Sequence, residues 1–236
     1  MTAQSTLSGC ELSIIMPVLN EASGMAAALA ALAPLVSRGS QVIVADGGST
    51  DGTTTIATAA RSPAITVIHC GKGRAVQMNA GAAHATGKAL LFLHADTTLP
   101  PDADGLVQRA LASGQHVWGR FDVRIEGQSK WLPVVSALMN LRSRLTGIAT
   151  GDQAIFMTHA AFTAMRGYAV QPLMEDIDMS QRLLQLSRPA CLPQKAVTSG
   201  RRWDTRGAWR TIVLMWRLRF AYWRGTPPER LAQLYR

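Results

Sequence analysis

The run Leu90-Leu91-Phe92-Leu93 is apolar throughout and then breaks into His94-Ala95-Asp96. A strand with no polar alternation is covered on both faces, the habit of parallel sheets sandwiched by helices. A carboxylate directly after it lies at the sheet's carboxyl edge, the crevice in which open α/β sheets hold ligands. Val42-Ile43-Val44-Ala45 ends the same way, running into Asp46-Gly47-Gly48-Ser49-Thr50-Asp51. Two acid-bearing strand ends facing one crevice suit a phosphorylated ligand held through a divalent cation.

The flanking pattern agrees. Leu12–Leu19 reads as a first strand, 22–36 as an Ala/Leu-rich helix, 41–45 as a strand, 53–61 as a helix, 65–69 as a strand, 74–85 as a helix and 89–93 as a fourth strand. Strand–helix alternation of this kind predicts an α/β fold with a doubly wound, mostly parallel sheet. After Pro100-Pro101 and a helix over 103–112 the rhythm changes. His116–Ile125 alternates like a strand exposed on one face, followed by a helix over 131–145, a strand over 153–158, a helix over 176–186 and an extended segment to Ser199.

The 236 residues, 47% of them hydrophobic, suffice for one large domain with a C-terminal extension. Cys10, Cys70 and Cys191 are an odd set without paired spacing, which argues against a disulfide framework or zinc site and for a reducing, cytoplasmic compartment. Met1–Gly9 has no basic-then-apolar leader pattern, and the apolar run Thr211–Trp216 is too short to cross a bilayer. A formal charge of +9 predicts attraction to polyanions. The basic residues follow no nucleic-acid-binding motif or aromatic interleaving, so nucleic acid is not an expected partner.

Taken in order, Ile14-Ile15-Met16-Pro17-Val18-Leu19-Asn20-Glu21, Asp46–Thr53, Gly73-Arg74-Ala75 with Asn79-Ala80-Gly81, His94-Ala95-Asp96 and Glu175-Asp176 resemble the motifs of glycosyltransferase family 2. The resemblance spans Leu12 to about Arg188, and is strongest to small bacterial members with His-Ala-Asp in place of Asp-x-Asp. It implies a GT-A fold over 1–203, with a nucleotide-sugar-binding half at about 12–100, an acceptor-binding half at about 101–203, and a helical extension over 204–236. It also implies transfer of a sugar from a nucleoside diphosphate to an acceptor hydroxyl, a lipid-linked acceptor included, with inversion at the anomeric carbon.

Carried onto this chain, the resemblance assigns nucleoside contacts to Pro17, Asn20 and Glu21, and base or ribose recognition to Asp46 with Gly48 and Ser49. It places Arg74, Asn79 and Ala95 on the donor side. Asp96 with His94 would hold Mn²⁺ or Mg²⁺, the first and third side chains of an extended tripeptide facing the same way. An imidazole ligand would favour Mn²⁺. Three acids open the helix at Glu175-Asp176-Ile177-Asp178. Capping and the helix dipole account for one or two of them, and Asp176, with Asp178 behind it, is the expected general base. Arg202, within Arg201-Arg202-Trp203, is expected to close over the diphosphate; Thr198 stands where processive members carry glutamine.

From Trp209 to Arg224, residues Trp209, Ile212, Val213, Trp216, Phe220 and Trp223 share a helical face edged by Arg210, Arg217 and Arg224. Such a face suits the cytoplasmic face of a membrane, and equally the chain's own domain or a second subunit in a homo-oligomer. Two rival functions stay open: a nucleotidyltransferase, which would carry a glycine-rich phosphate loop after strand one, and a catalytically silent nucleotide-sugar-binding module.

Overall fold

The computed structural model describes residues 11–60 and 62–235, with the side chains of Arg202, Arg206, Ala208 and Trp209 outside that description. The leader reading of Met1–Gly9, Cys10 and the face position of Trp209 therefore fall outside the described residues.

In chain order the elements are β1 (Leu12–Val18), α1 (Ala22–Ser37), β2 (Gln41–Asp46), α2 (Thr53–Ala59), β3 (Ile65–His69), α3 (Arg74–Ala83), β4 (Ala89–Phe92), β5 (Thr97–Thr98), α4 (Ala103–Ala112), β6 (Trp118–Glu126) and α5 (Leu132–Thr146). A 3₁₀ turn (Gly151–Gln153), β7 (Phe156–Thr158), α6 (His159–Ala164), α7 (Glu175–Leu183), β8 (Ala190–Ser199), α8 (Arg201–Arg206), α9 (Ala208–Trp223) and α10 (Pro228–Tyr235) follow. The strands form one sheet of order β3-β2-β1-β4-β7-β6-β8-β5. The β3-β2-β1-β4 stretch is parallel, and β7 joins β4 antiparallel.

The apolar strands are buried on both faces, and their alternation sorts the core. Ile14, Met16, Val42, Val44 and Leu91 pack against Met25, Leu29, Leu32 and Leu35 of α1 on one side of the sheet. Ile15, Ile43, Leu90 and Phe92 pack with Met78, Ala82, Tyr168 and Met179 on the other. A period of two in β1, β2 and β4 meets helical spacing in α1 and α3.

One expectation about the second half is corrected. Strand β6 is buried on both faces until its last residues, because the polar positions of its alternation point into a second interior. There Arg120 ion-pairs with Asp122, donates to Ser143 Oγ at 3.1 Å, and sits under α5 with no exposed surface. Asn140 of α5 closes the join by accepting the Val123 N–H at 2.8 Å and donating to the Val123 carbonyl at 3.0 Å. The helices of segment 204–236 pack on the domain. Leu218 of α9 and Leu231 of α10 are buried in one cluster with Met174 and Ile177, at the start of α7.

Candidate functional site

Strand order reverses between β1 and β4, since the chain leaves β1 towards β2 on one side and returns to β4 on the other. The loops after these two strands therefore diverge over the sheet's carboxyl edge. Gln77 of α3 holds the edge in shape, donating to Val18 O at 2.7 Å and Ala45 O at 2.9 Å. Its amide lies where a side chain at Gly47 would have to be.

Above the edge opens a cleft of about 1000 Å³, bordered by Pro17, Glu21, Arg74, His94, Ala95, Asp96, Asp176 and Arg201. Asp96 and Asp176, eighty residues apart in the chain, thus face one space. Burial pushes the Glu21 carboxyl above its ordinary range, opposed by Arg201 and reinforced by Asp96. The Arg201 guanidinium lies 4.0 Å from Glu21 Oε2. Burial also raises the Glu175 carboxyl, reinforced by its neighbour Asp176 and opposed by Arg74, whose Nη1 is 3.5 Å from Glu175 Oε1.

Asp176 is held open to the cleft. Its Oδ2 accepts the Gly151 N–H at 2.9 Å and its Oδ1 accepts the Ile177 N–H at 2.8 Å, so each oxygen keeps a lone pair for a further partner. Asp178 faces Arg182 instead, accepting from its Nε at 2.8 Å, and is not among the residues that border the cleft.

His94 is engaged within the fold. Its Nδ1 lies 3.2 Å from Asp152 Oδ1, while Nε2 packs so closely on Gly151 that a Cβ there would collide with it. Asp96 is exposed, and the contact of its Oδ1 is the Thr97 hydroxyl at 3.4 Å. Among the described residues no three His, Cys, Asp or Glu side chains are grouped to hold a metal ion. One open carboxylate fits a cation whose remaining ligands are phosphate oxygens and water, as Mg²⁺-type sites on nucleotides are built; it does not fit an all-protein cage.

The other expected donor residues lie around this cleft, outside its border. Asp46 is buried and folds back on its own turn, accepting from the amides of Gly48 at 3.1 Å and Ser49 at 3.1 Å. Burial raises its pKa, but these hydrogen bonds outweigh it, and the net shift is downward. Ser49 Oγ accepts the Asn20 N–H at 2.9 Å, and Asn20 Oδ1 accepts the Thr50 N–H at 2.9 Å, which clips the two crevice loops together. Asn79, expected on the donor side, spends its amide on the Tyr168 backbone, donating at 2.8 Å and accepting at 2.8 Å. The Arg202 side chain lies outside the described residues.

Two cleft residues escaped the sequence reading, Arg142 of α5 and Arg219 of α9, while Gly151-Asp152, which the sequence offers as an acceptor-side turn, borders the cleft and carries His94. Arg219 looks in the sequence like an interruption of an apolar run. Arg142 falls among Leu138, Leu141 and Leu145 in a helical stripe, and that mismatch was its one signal.

A model of "Glycosyl transferase family 2" matches residues 13–173. A PGL/p-HBAD biosynthesis glycosyltransferase of Mycobacterium tuberculosis is 39% identical over 108 residues, which cover 44% of this chain and 42% of that protein. The match thus spans less than half the length of that relative. Among solved structures, the mannosyltransferase PcManGT from Pyrobaculum calidifontis, in complex with GDP-Man and Mn²⁺, superposes with a TM-score of 0.68 at 20% identity over 89% of this chain and 61% of that one. S. aureus TarS in complex with UDP-GlcNAc superposes with a TM-score of 0.66 at 16% identity over 80% of this chain and 58% of that one. The fold is thus of GT-A type, and the chain belongs to glycosyl transferase family 2.

Proposed function

We propose that this chain is an inverting glycosyltransferase that takes its sugar from a nucleoside diphosphate. The observation that carries the reading is that Asp96 and Asp176 border one cleft at the carboxyl edge of the sheet, with the cations Arg74 and Arg201 beside them. The acceptor hydroxyl gives its proton to Asp176 as its oxygen attacks the anomeric carbon; the bond from that carbon to the diphosphate breaks, and the nucleoside diphosphate leaves. Asp96 would hold a divalent cation, Mn²⁺ or Mg²⁺, which when bound neutralises charge on the departing diphosphate. His94, fastened to Asp152, positions the loop that presents Asp96. Incubation with UDP- and GDP-sugars and Mn²⁺, with and without hydroxyl acceptors, tests this. Release of free nucleoside diphosphate supports it; tight nucleotide binding without turnover under every condition favours the silent module.

The same reading places the chain on an anionic membrane face. Among the described residues no helix is long and apolar enough to cross a membrane. Val134, Leu138, Leu141 and Leu145 of α5, and Val213, Trp216, Phe220 and Trp223 of α9, are nevertheless exposed. Both stripes run to the cleft, which Leu138, Leu141, Leu145 and Trp216 border. Exposed Arg144, Arg210 and Arg217 stand on these helices, and exposed Arg224 caps α9. Apolar and indole groups flanked by guanidinium suit a negatively charged headgroup layer, with a lipid-linked acceptor entering from it.

A further inference from the structure

The cleft that Asp176 borders is also lined by two guanidinium groups, Arg142 and Arg219, that form no direct ion pair among the described residues. Arg142 Nε and Nη2 are buried and meet no hydrogen-bond partner among the described residues. Burial pushes the Arg142 pKa down to about 10, and the Arg219 charge pushes the same way. Burial likewise lowers Arg219. The charge of Asp176 opposes the shift in both, and that of Asp152 opposes it in Arg219.

Two like charges drawn partly out of water, one of them with unused buried N–H donors, are costly to a folded chain unless something neutralises them. Their forked donors match oxygens disposed around one centre, and their summed charge matches the roughly −1.5 to −2 of a phosphate monoester near neutral pH better than that of a single carboxylate. The donor's diphosphate has other cations to meet on the same cleft, Arg74 and Arg201, beside Asp96.

We infer that Arg142 and Arg219 form an anion subsite for a phosphate monoester carried by the acceptor. This rests on the glycosyltransferase reading above for the word acceptor; the subsite itself rests on the two arginines. The phosphate belongs either to a small soluble ester or to the headgroup of a lipid phosphate whose chain lies along α5 and α9.

Calorimetric titration of the full chain tests it, with glycerol 3-phosphate and with vesicles of phosphatidylcholine containing phosphatidic acid as the two probes, each with and without UDP or GDP and Mn²⁺. The wild type should bind one of them saturably, and which one identifies the source. Arg142→Gln and Arg219→Gln should each weaken that binding about tenfold or more, the loss expected for one charge-assisted contact, while nucleotide binding is unchanged. Arg219→Lys should recover part of the loss. Without ligand, Arg142→Gln should melt no lower than the wild type, because it removes a buried unpaired charge; a large fall in Tm would make Arg142 structural and overturn the subsite. Equal affinity of wild type and variants for both probes, or no binding of either, also overturns it. Loss of nucleotide binding in the variants would assign the arginines to the donor instead. Failure of the wild type to bind any nucleotide would sink the glycosyltransferase reading and leave the phosphate titration to be judged by itself.

Discussion

Asp176 Oδ2 accepts the Gly151 N–H at 2.9 Å, so the acid that opens α7 is fixed to the turn whose next residue, Asp152, holds His94. One hydrogen bond therefore ties the base proposed for the acceptor to the turn that holds His94, two residues before Asp96. Several outcomes follow from that coupling and from the packing beneath it.

Asp176→Asn keeps the volume and an acceptor oxygen for Gly151 but removes the proton acceptor. Transfer should fall by about 10²–10⁴-fold, the usual contribution of a positioned base. Binding of UDP or GDP, measured by calorimetry, should stay within about threefold of wild type, since the proposed base acts on the acceptor and not on the nucleotide. Parallel loss of both would make Asp176 a structural residue.

Asp96→Ala removes the open carboxylate in the loop after β4. The rise in Tm produced by UDP or GDP together with Mn²⁺ should shrink to that produced by the nucleotide alone. An undiminished Mn²⁺-dependent rise would place the cation elsewhere.

Asp122 does not border the cleft, yet Asp122→Ala should be the most damaging of these changes. It leaves Arg120 fully buried without its counter-charge and also frees Arg144 and Lys195, each 2.9 Å from Asp122 Oδ2. A loss of about 3–5 kcal/mol is expected from uncoupling a buried pair, read from the urea midpoint.

Glu175 should make the fold less stable as pH rises. Burial, reinforced by the Asp176 charge, lifts its pKa above the ordinary 4.5, so the folded state holds the proton over a range where the unfolded chain has lost it. Its contribution is fully present below that value and is lost as pH climbs through the folded pKa. Arg74 and His94 oppose this shift. Relative to wild type, Glu175→Gln should therefore gain stability with increasing pH above 4.5; urea midpoints that shift equally for both proteins would contradict it.

Trp216, Phe220 and Trp223 are 68, 61 and 73% exposed, so replacing all three by alanine should leave Tm nearly unchanged. It should abolish co-sedimentation with phosphatidylglycerol vesicles if α9 meets the bilayer. Wild-type protein left wholly in the supernatant would end the membrane proposal.

What could be read directly was whatever depends on neighbours in the chain. The apolar runs of β1, β2 and β4, the Ala/Leu spacing of α1 and the acids closing two strands sufficed for a doubly wound α/β half with a crevice at its carboxyl edge, because backbone periodicity and burial are set locally. Short elements such as β5, α6, α8 and α10 carry too few residues for a period to register.

Interior polar pairing was decided only in three dimensions. Arg120 and Asp122 alternate along β6 like a solvated face, yet α5 covers them, and nothing within the strand announces a lid. Asn79 and Asp178 sit in the expected motifs, but the Tyr168 backbone and Arg182 claim their side chains. Arg142 and Arg219 lie seventy-seven residues apart, on helices whose stripes look simply hydrophobic, and reach the same cleft only because α9 folds back beside α7. A side chain's type is written in the chain, but its electrostatic meaning depends on which charges the fold brings near and how much water it leaves between them.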